Sequence, residues 1–223
     1  MLYSPRYKFL FVHIPKTGGT SVRAALKPLL YRDPWYWLMW FPQRLSHLTG
    51  HRTVTKFPRH ARIIAAKEML PWEIFSSLHK FSVVRNPWDL QVSSYFHLQR
   101  EHPEVLSGLK DFEAFVFHKL DAEREPCPLL DISGTPQVEY LRDMDGRLLV
   151  DEVIRFETLE SDTMRVFARL GRGKTPLPHK RKGERQRDYR SYYSDQVAAH
   201  VASWYKADLQ AFDYRFDDPG TEG

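Results

Sequence analysis

The sequence predicts an α/β fold with a central, mostly parallel sheet flanked by helices. Three observations lead there. Short apolar runs rich in aromatic and β-branched residues recur at Lys8–His13, Phe81–Val84 and Val153–Phe156. Each is followed within a few residues by a helical stretch. Two of the junctions carry residues that interrupt regular structure, proline and glycine in PKTGG and proline in RNP. The 223 residues show no internal repeat and no linker, so one domain over residues 1–223 is expected.

The elements follow in chain order. Lys8–His13 suits a buried strand, and Pro15 to Gly19 cannot continue it. Thr20 or Ser21 is placed to cap a helix through Ala24, Ala25 and Leu26. RDPWYWLMWFP, Arg32 to Pro42, is strongly aromatic and bounded by prolines. Ile63–Leu78 has helical spacing broken at Pro71. After the Phe81–Val84 strand, Pro87 fits a first helical turn, where its missing N–H is harmless. The helix is expected over Trp88–Gln99. Asp111–Leu120 has helical spacing at Phe112, Phe115 and Val116. Glu139–Val150 reads as a hairpin around an Asp145-Gly146 turn. Val153–Phe156 is a further core strand, Leu159–Leu170 a helix, and Gly171–Arg187 a polar loop. Asp195–Phe212 reads as one closing amphipathic helix.

Composition narrows the function classes. Hydrophobic residues make up 42% and charged residues 27%, an ordinary globular balance. No run of about 18 apolar residues is present, so no membrane span is expected. The first residues lack a signal-peptide pattern. The lone Cys127 allows neither an internal disulfide nor a cysteine metal site, and suggests a reducing, cytoplasmic setting. The net charge of +5 favours an anionic partner. The positive charge concentrates in HKRKGERQRDYR, His179 to Arg190. A solvated loop, a nucleic-acid surface and a phosphate pocket all fit that run.

FVHIPKTGGTSV, Phe11 to Val22, carries the sharpest chemistry. A strand leading through a glycine loop into a helix start presents free backbone N–H groups, and the helix dipole adds to their pull on an anion. Gly18 and Gly19 admit close approach, Thr20 and Ser21 offer hydroxyls, and Lys16 brings a mobile charge. The nucleotide P-loop places its lysine after the glycines, beside a Ser/Thr that holds magnesium. Here Lys16 precedes them, so the loop suits an anion bound without a metal.

HIPKTGGTS resembles the 5′-phosphosulfate loop of sulfotransferases that use 3′-phosphoadenosine 5′-phosphosulfate (PAPS), in the form found in carbohydrate-type and bacterial members. FSVVRNPWDLQVSSY, Phe81 to Tyr95, is similar to that family's 3′-phosphate motif, which implies phosphate contacts from Arg85 and Ser93. Read from the residues alone, the Arg85 fork suits a phosphate, and it equally suits pairing with Asp89. RKGERQRDYRSYYSDQ, Arg181 to Gln196, resembles the family's late loop, implying that Arg181, Lys182 and Gly183 close over the 3′-phosphate. VIRFETLESD, Val153 to Asp162, resembles a strand-to-helix segment of the family. The resemblance runs from about residue 8 to residue 216. It implies a P-loop-like, three-layer fold, PAPS as co-substrate and no metal. Lys16, Thr17, Gly18, Gly19, Thr20 and Ser21 would hold its 5′ end.

Sulfuryl transfer to a hydroxyl needs a donor at the bridging oxygen, the expected role of Lys16, and a base near neutrality. GHRTV resembles the H-x-[ST] element carrying the catalytic histidine in several family members, so His51 is the first candidate. His60, in PRHAR, is the second, and His13 suits a structural role. The aromatic patch Trp35–Phe41 fits packing, a sugar-stacking wall or a peripheral membrane contact. A carbohydrate or glycoconjugate acceptor follows from the resemblance. Two other functions stay open: an ATP-dependent small-molecule kinase, and a non-enzymatic binder of heparin-like or nucleic-acid polyanions.

Overall fold

The computed structural model describes residues 1–38, 57–171, 177 and 188–218. Its sheet has four strands, β1 (Leu2–Ser4), β2 (Phe9–Val12), β3 (His79–Val84) and β4 (Glu152–Arg155), in spatial order β1-β2-β3-β4. β2, β3 and β4 run parallel, with Phe11 opposite Phe81 and Phe81 opposite Glu152. β1 pairs antiparallel to β2, with Leu2 opposite Phe11. β2 is buried along its whole length and β3 at all but its first residue, as expected of strands covered on both faces.

Alternation along β2 separates two cores. Phe9 and Phe11 pack with Val22, Leu26, Phe81, Ile154 and Phe167. That core joins α1 (Gly19–Tyr31) and α7 (Leu159–Arg169) to one face of the sheet. Leu10 and Val12 pack on the other face with Ile63, Phe75, Leu141 and Phe212. Those residues come from α2 (Ile63–Met69), α3 (Trp72–Ser77) and α9 (Lys206–Phe212), among other segments. A third cluster, with Trp88, Val92, Phe115, Leu130, Val201 and Tyr205, is helical. It gathers α4 (Pro87–Glu101), α5 (Phe112–Lys119), α6 (Pro128–Gly134) and α8 (Asp195–Trp204). The result is a mixed α/β architecture with a mostly parallel sheet flanked by helices. None of the described helices is long and apolar enough to cross a membrane.

Several local expectations change. The first helix begins at Gly19 with Gly18 as its left-handed N-cap, so neither Thr20 nor Ser21 caps it. The Glu139–Val150 hairpin contracts to a turn closed by one antiparallel bridge, Arg142 to Leu148, preceded by a 3-10 turn over Gln137–Tyr140. The closing helix breaks at Tyr205, whose hydroxyl donates to the Ser133 carbonyl at 2.9 Å. β1 and α6 had no counterpart in the sequence reading.

Candidate functional site

The loops after β2 and β3 leave the same end of two adjacent parallel strands, so the lysine loop and the RNP turn meet. In such sheets, ligands bind in the crevice beyond the strand carboxyl ends. Lys16 adopts a left-handed backbone, φ 63°, and Gly18 follows at φ 78°. These two positions curl the loop before α1. A Cβ on Gly18 would lie 2.7 Å from the Phe156 ring. One on Gly19 would lie 2.2 Å from His13 Cδ2. Both glycines are therefore required by close packing, and Gly18 by conformation as well.

Arg85 ties the two loops together. Its Nη1 donates to the Lys16 carbonyl at 3.0 Å, and its Nε donates to Asp89 at 2.7 Å. Its guanidinium carbon sits 4.0 Å from the centre of the Phe156 ring, a cation–π contact. The arginine is 4% exposed, so carboxylate pairing and cavity lining coexist in one side chain. Its backbone is gripped by Gln137, whose amide accepts from Arg85 N at 2.9 Å and donates to Arg85 O at 2.8 Å. Asp208 in turn accepts from Gln137 N and Val138 N, both at 2.8 Å. Burial raises the Asp208 carboxyl to about 6, against the opposing pull of those N–H donors.

Lys16, Gly18, Gly19, Thr20, Ser21, Arg85 and Ser93 line a single cavity of about 980 Å³. Thr17 does not. It is fully buried and its hydroxyl donates to the Ile14 carbonyl at 3.0 Å, which braces the loop from behind. His51, Arg181, Lys182 and Gly183 lie outside the described residues. Of the aromatic patch, Trp35, Trp37 and Leu38 are exposed, Tyr36 is half-buried against Tyr31 at 5.7 Å, and residues 39–41 lie outside the described set.

Two histidines stand beside the loop. His13 is buried, stacked on Phe11 at 5.9 Å and 4.7 Å from the His60 ring. Burial, then repulsion from His60 and nearby arginines, holds it neutral far below the usual histidine range. His60 lines the cavity, and its Nδ1 lies 2.9 Å from the His13 carbonyl. A carbonyl can only accept, so Nδ1 carries the proton and Nε2 of the neutral ring is basic. Burial lowers the His60 value, with the hydrogen bond to His13 opposing.

Sequence reasoning did not single out Arg59, Ser94, His97 or Ser133, which also line the cavity. Ser94 adjoins Ser93 in a helix already picked out, which was the available signal. Gln137 and Asp208 carried none, since their roles depend on contacts across 52 and 71 residues. Apolar Leu129, Ile132 and Met164 complete one wall, beside Glu157 and Glu160.

The chain matches no curated protein and no solved structure. It does match the family model described as "Sulfotransferase family", over residues 1–215. That span takes in the lysine loop, the RNP turn and every wall of the cavity, and the chain belongs to the sulfotransferase family.

Proposed function

We propose that the chain is a PAPS-dependent sulfotransferase of one P-loop-like, three-layer domain, acting on a hydroxyl of a carbohydrate or glycoconjugate. One observation carries the reading. The glycine-lysine loop and Arg85, from adjacent parallel strands, open on one cavity and are joined by the Arg85–Lys16 hydrogen bond. A nucleotide with phosphates at both ends of its ribose needs two such anion contacts a fixed distance apart. Lys16, Gly18, Gly19, Thr20 and Ser21 would take the 5′ end, with Thr17 bracing the loop. Arg85 and Ser93 would take the 3′-phosphate, with Arg181, Lys182 and Gly183 closing over it.

In the reaction the sulfur–oxygen bond to the 5′-phosphate breaks as a new one forms to the acceptor oxygen, and adenosine 3′,5′-bisphosphate leaves. The lysine loop's part is positioning and stabilisation of charge on the departing oxygen. The acceptor proton passes to a neutral imidazole. His51 remains the candidate drawn from the sequence. The tautomer that the His13 carbonyl imposes on His60 supports His60 as the base, because it leaves Nε2 basic in a ring that burial keeps neutral.

Transfer of labelled sulfuryl from PAPS in the presence of EDTA tests the proposal. Transfer that proceeds supports it. Activity confined to ATP with magnesium would make the chain a kinase, and polyanion binding that collapses with salt, without transfer, a simple binder.

A further inference from the structure

Lys119, the last residue of α5, is 1% exposed. Its ammonium nitrogen lies 2.8 Å from Gln91 Oε1 and 3.0 Å from Ser94 Oγ, and neither atom is charged. Ser94 Oγ lies 3.0 Å from Ser133 Oγ, and both serines line the donor cavity. A lysine sealed from water is thus wired to the cavity through two hydroxyls. The groups around it offer no counter-charge. Arg124 donates its Nε to the Lys119 carbonyl and has its own acid, Asp131 of α6. Lys16 repels it from the loop side. Phe115, on its own helix, holds it by a cation–π contact at 5.5 Å. Tyr205 stays a neutral phenol with its hydroxyl on the Ser133 carbonyl, and His200 of α8 packs on Phe117 at 4.8 Å. Helices α4, α5, α6 and α8 enclose the amine, and among the described residues no carboxylate pairs with it.

We propose that Lys119, Ser94 and Ser133 form an anion subsite in the cavity wall, where the two serine hydroxyls carry the lysine's charge to a phosphate oxygen of the bound nucleotide. The inference rests on the donor reading above and adds these residues to it. With Lys119 donating to Ser94, Ser94 can donate to Ser133, and the Ser133 hydroxyl is freed to donate into the cavity. Such a chain strengthens along its length when its head is a cation. Burial first, and then Lys16 and Arg124, push the amine well below the usual lysine range. A nucleotide would bring negative charge beside Lys16 and Arg85, offset their repulsion and favour the ammonium form. Proton uptake from the buffer on binding is the signature of that change.

Isothermal titration of adenosine 3′,5′-bisphosphate in two buffers of different ionisation enthalpy reads this directly. At about pH 8.5 ordinary histidines are already neutral and do not contribute. The wild type is expected to take up a proton, and Lys119→Met to take up none while binding about tenfold or more weakly. Ser133→Ala, which leaves the lysine in place, is expected to weaken binding about fivefold. It serves as the test if Lys119→Met does not fold. Adenosine 5′-monophosphate shows which phosphate is engaged: uptake lost with it assigns the subsite to the 3′-phosphate, uptake kept assigns it to the 5′ end. Bisphosphate binding with no proton uptake, uptake unchanged in Lys119→Met, or unchanged affinity in Ser133→Ala would overturn the subsite and leave the donor reading intact. No bisphosphate binding by the wild type, with Lys119-dependent uptake on adding inorganic sulfate, would overturn the donor reading and keep the subsite.

Discussion

Gly19→Ala sets two physical effects of opposite sign against each other. Gly19 is the first residue of α1 and its φ lies outside the left-handed region, so alanine is the better helix former by about 0.5–1 kcal/mol. Propensity alone therefore predicts stabilisation. The added methyl, however, would lie 2.2 Å from His13 Cδ2 and 2.5 Å from its Nε2. That ring is 3% exposed, with Phe11 stacked on it and the His60 ring 4.7 Å away, so it has little room to yield. Overpacking of a rigid core costs about 1–3 kcal/mol, which exceeds the gain in propensity. The net expectation is destabilisation by about 1–2 kcal/mol. Urea unfolding of the wild type, Gly19→Ala, His13→Ala and the double variant measures it. In the His13→Ala background the obstructing ring is gone, and Gly19→Ala is expected to become neutral or stabilising. A Gly19→Ala protein as stable as the wild type, or the same loss in both backgrounds, would refute the packing role assigned to this glycine.

Three further outcomes follow from the same geometry. His13 is depressed by burial to about 2, so below about pH 6.5 the unfolded chain binds a proton that the folded chain refuses. Its contribution to stability is full above about pH 6.5 and falls by about 1.4 kcal/mol per unit as pH drops toward the folded value. Urea midpoints of the wild type and His13→Asn between about pH 7 and about pH 4 report it, and equal slopes would contradict it. Asp208→Asn puts a donor where Gln137 and Val138 already donate. It is expected to cost about 1–3 kcal/mol and to weaken bisphosphate binding by loosening Arg85, as calorimetry and unfolding would show together. Under the proposed mechanism, in which Lys16 chiefly stabilises charge developing in the transition state, Lys16→Ala is expected to lower turnover far more than bisphosphate affinity; equal losses would make it a plain binding residue.

The strands and helices that frame the cavity were legible because they obey local rules. β2 is a continuous apolar run, β3 carries the apolar Phe81, Val83 and Val84, Pro87 sits in the first turn of α4, and the spacing of Phe112, Phe115 and Val116 marks α5. β1 was illegible because a three-residue edge strand takes its identity from pairing with Phe9–Phe11, not from its own pattern. The break at Tyr205 was hidden for a similar reason: the residue is a fair helix former, and its hydroxyl bond to Ser133 across 72 residues lies in the tertiary structure. In the site, most of the loop residues and the arginine that line the cavity were readable from local chemistry. The hydroxyl of Thr17 has the same composition signal as those of Thr20 and Ser21, yet it turns inward to Ile14. The sequence left Arg85 between a carboxylate and a phosphate, and the structure shows it meeting Asp89 while still facing the cavity. Gln137, Asp208 and Lys119 are ordinary polar residues until the fold buries them.

The central claim is that the lysine loop and Arg85 form one receptor for a nucleotide phosphorylated at both the 3′ and 5′ positions. Thermal unfolding of the wild type with adenosine 3′,5′-bisphosphate or with ADP, each with EDTA or magnesium, tests it most directly, because a ligand bound only to the folded state raises the midpoint. The account predicts a large upward shift with the bisphosphate, independent of magnesium, and a small one with ADP. A larger shift with ADP and magnesium, or none with the bisphosphate, would contradict it.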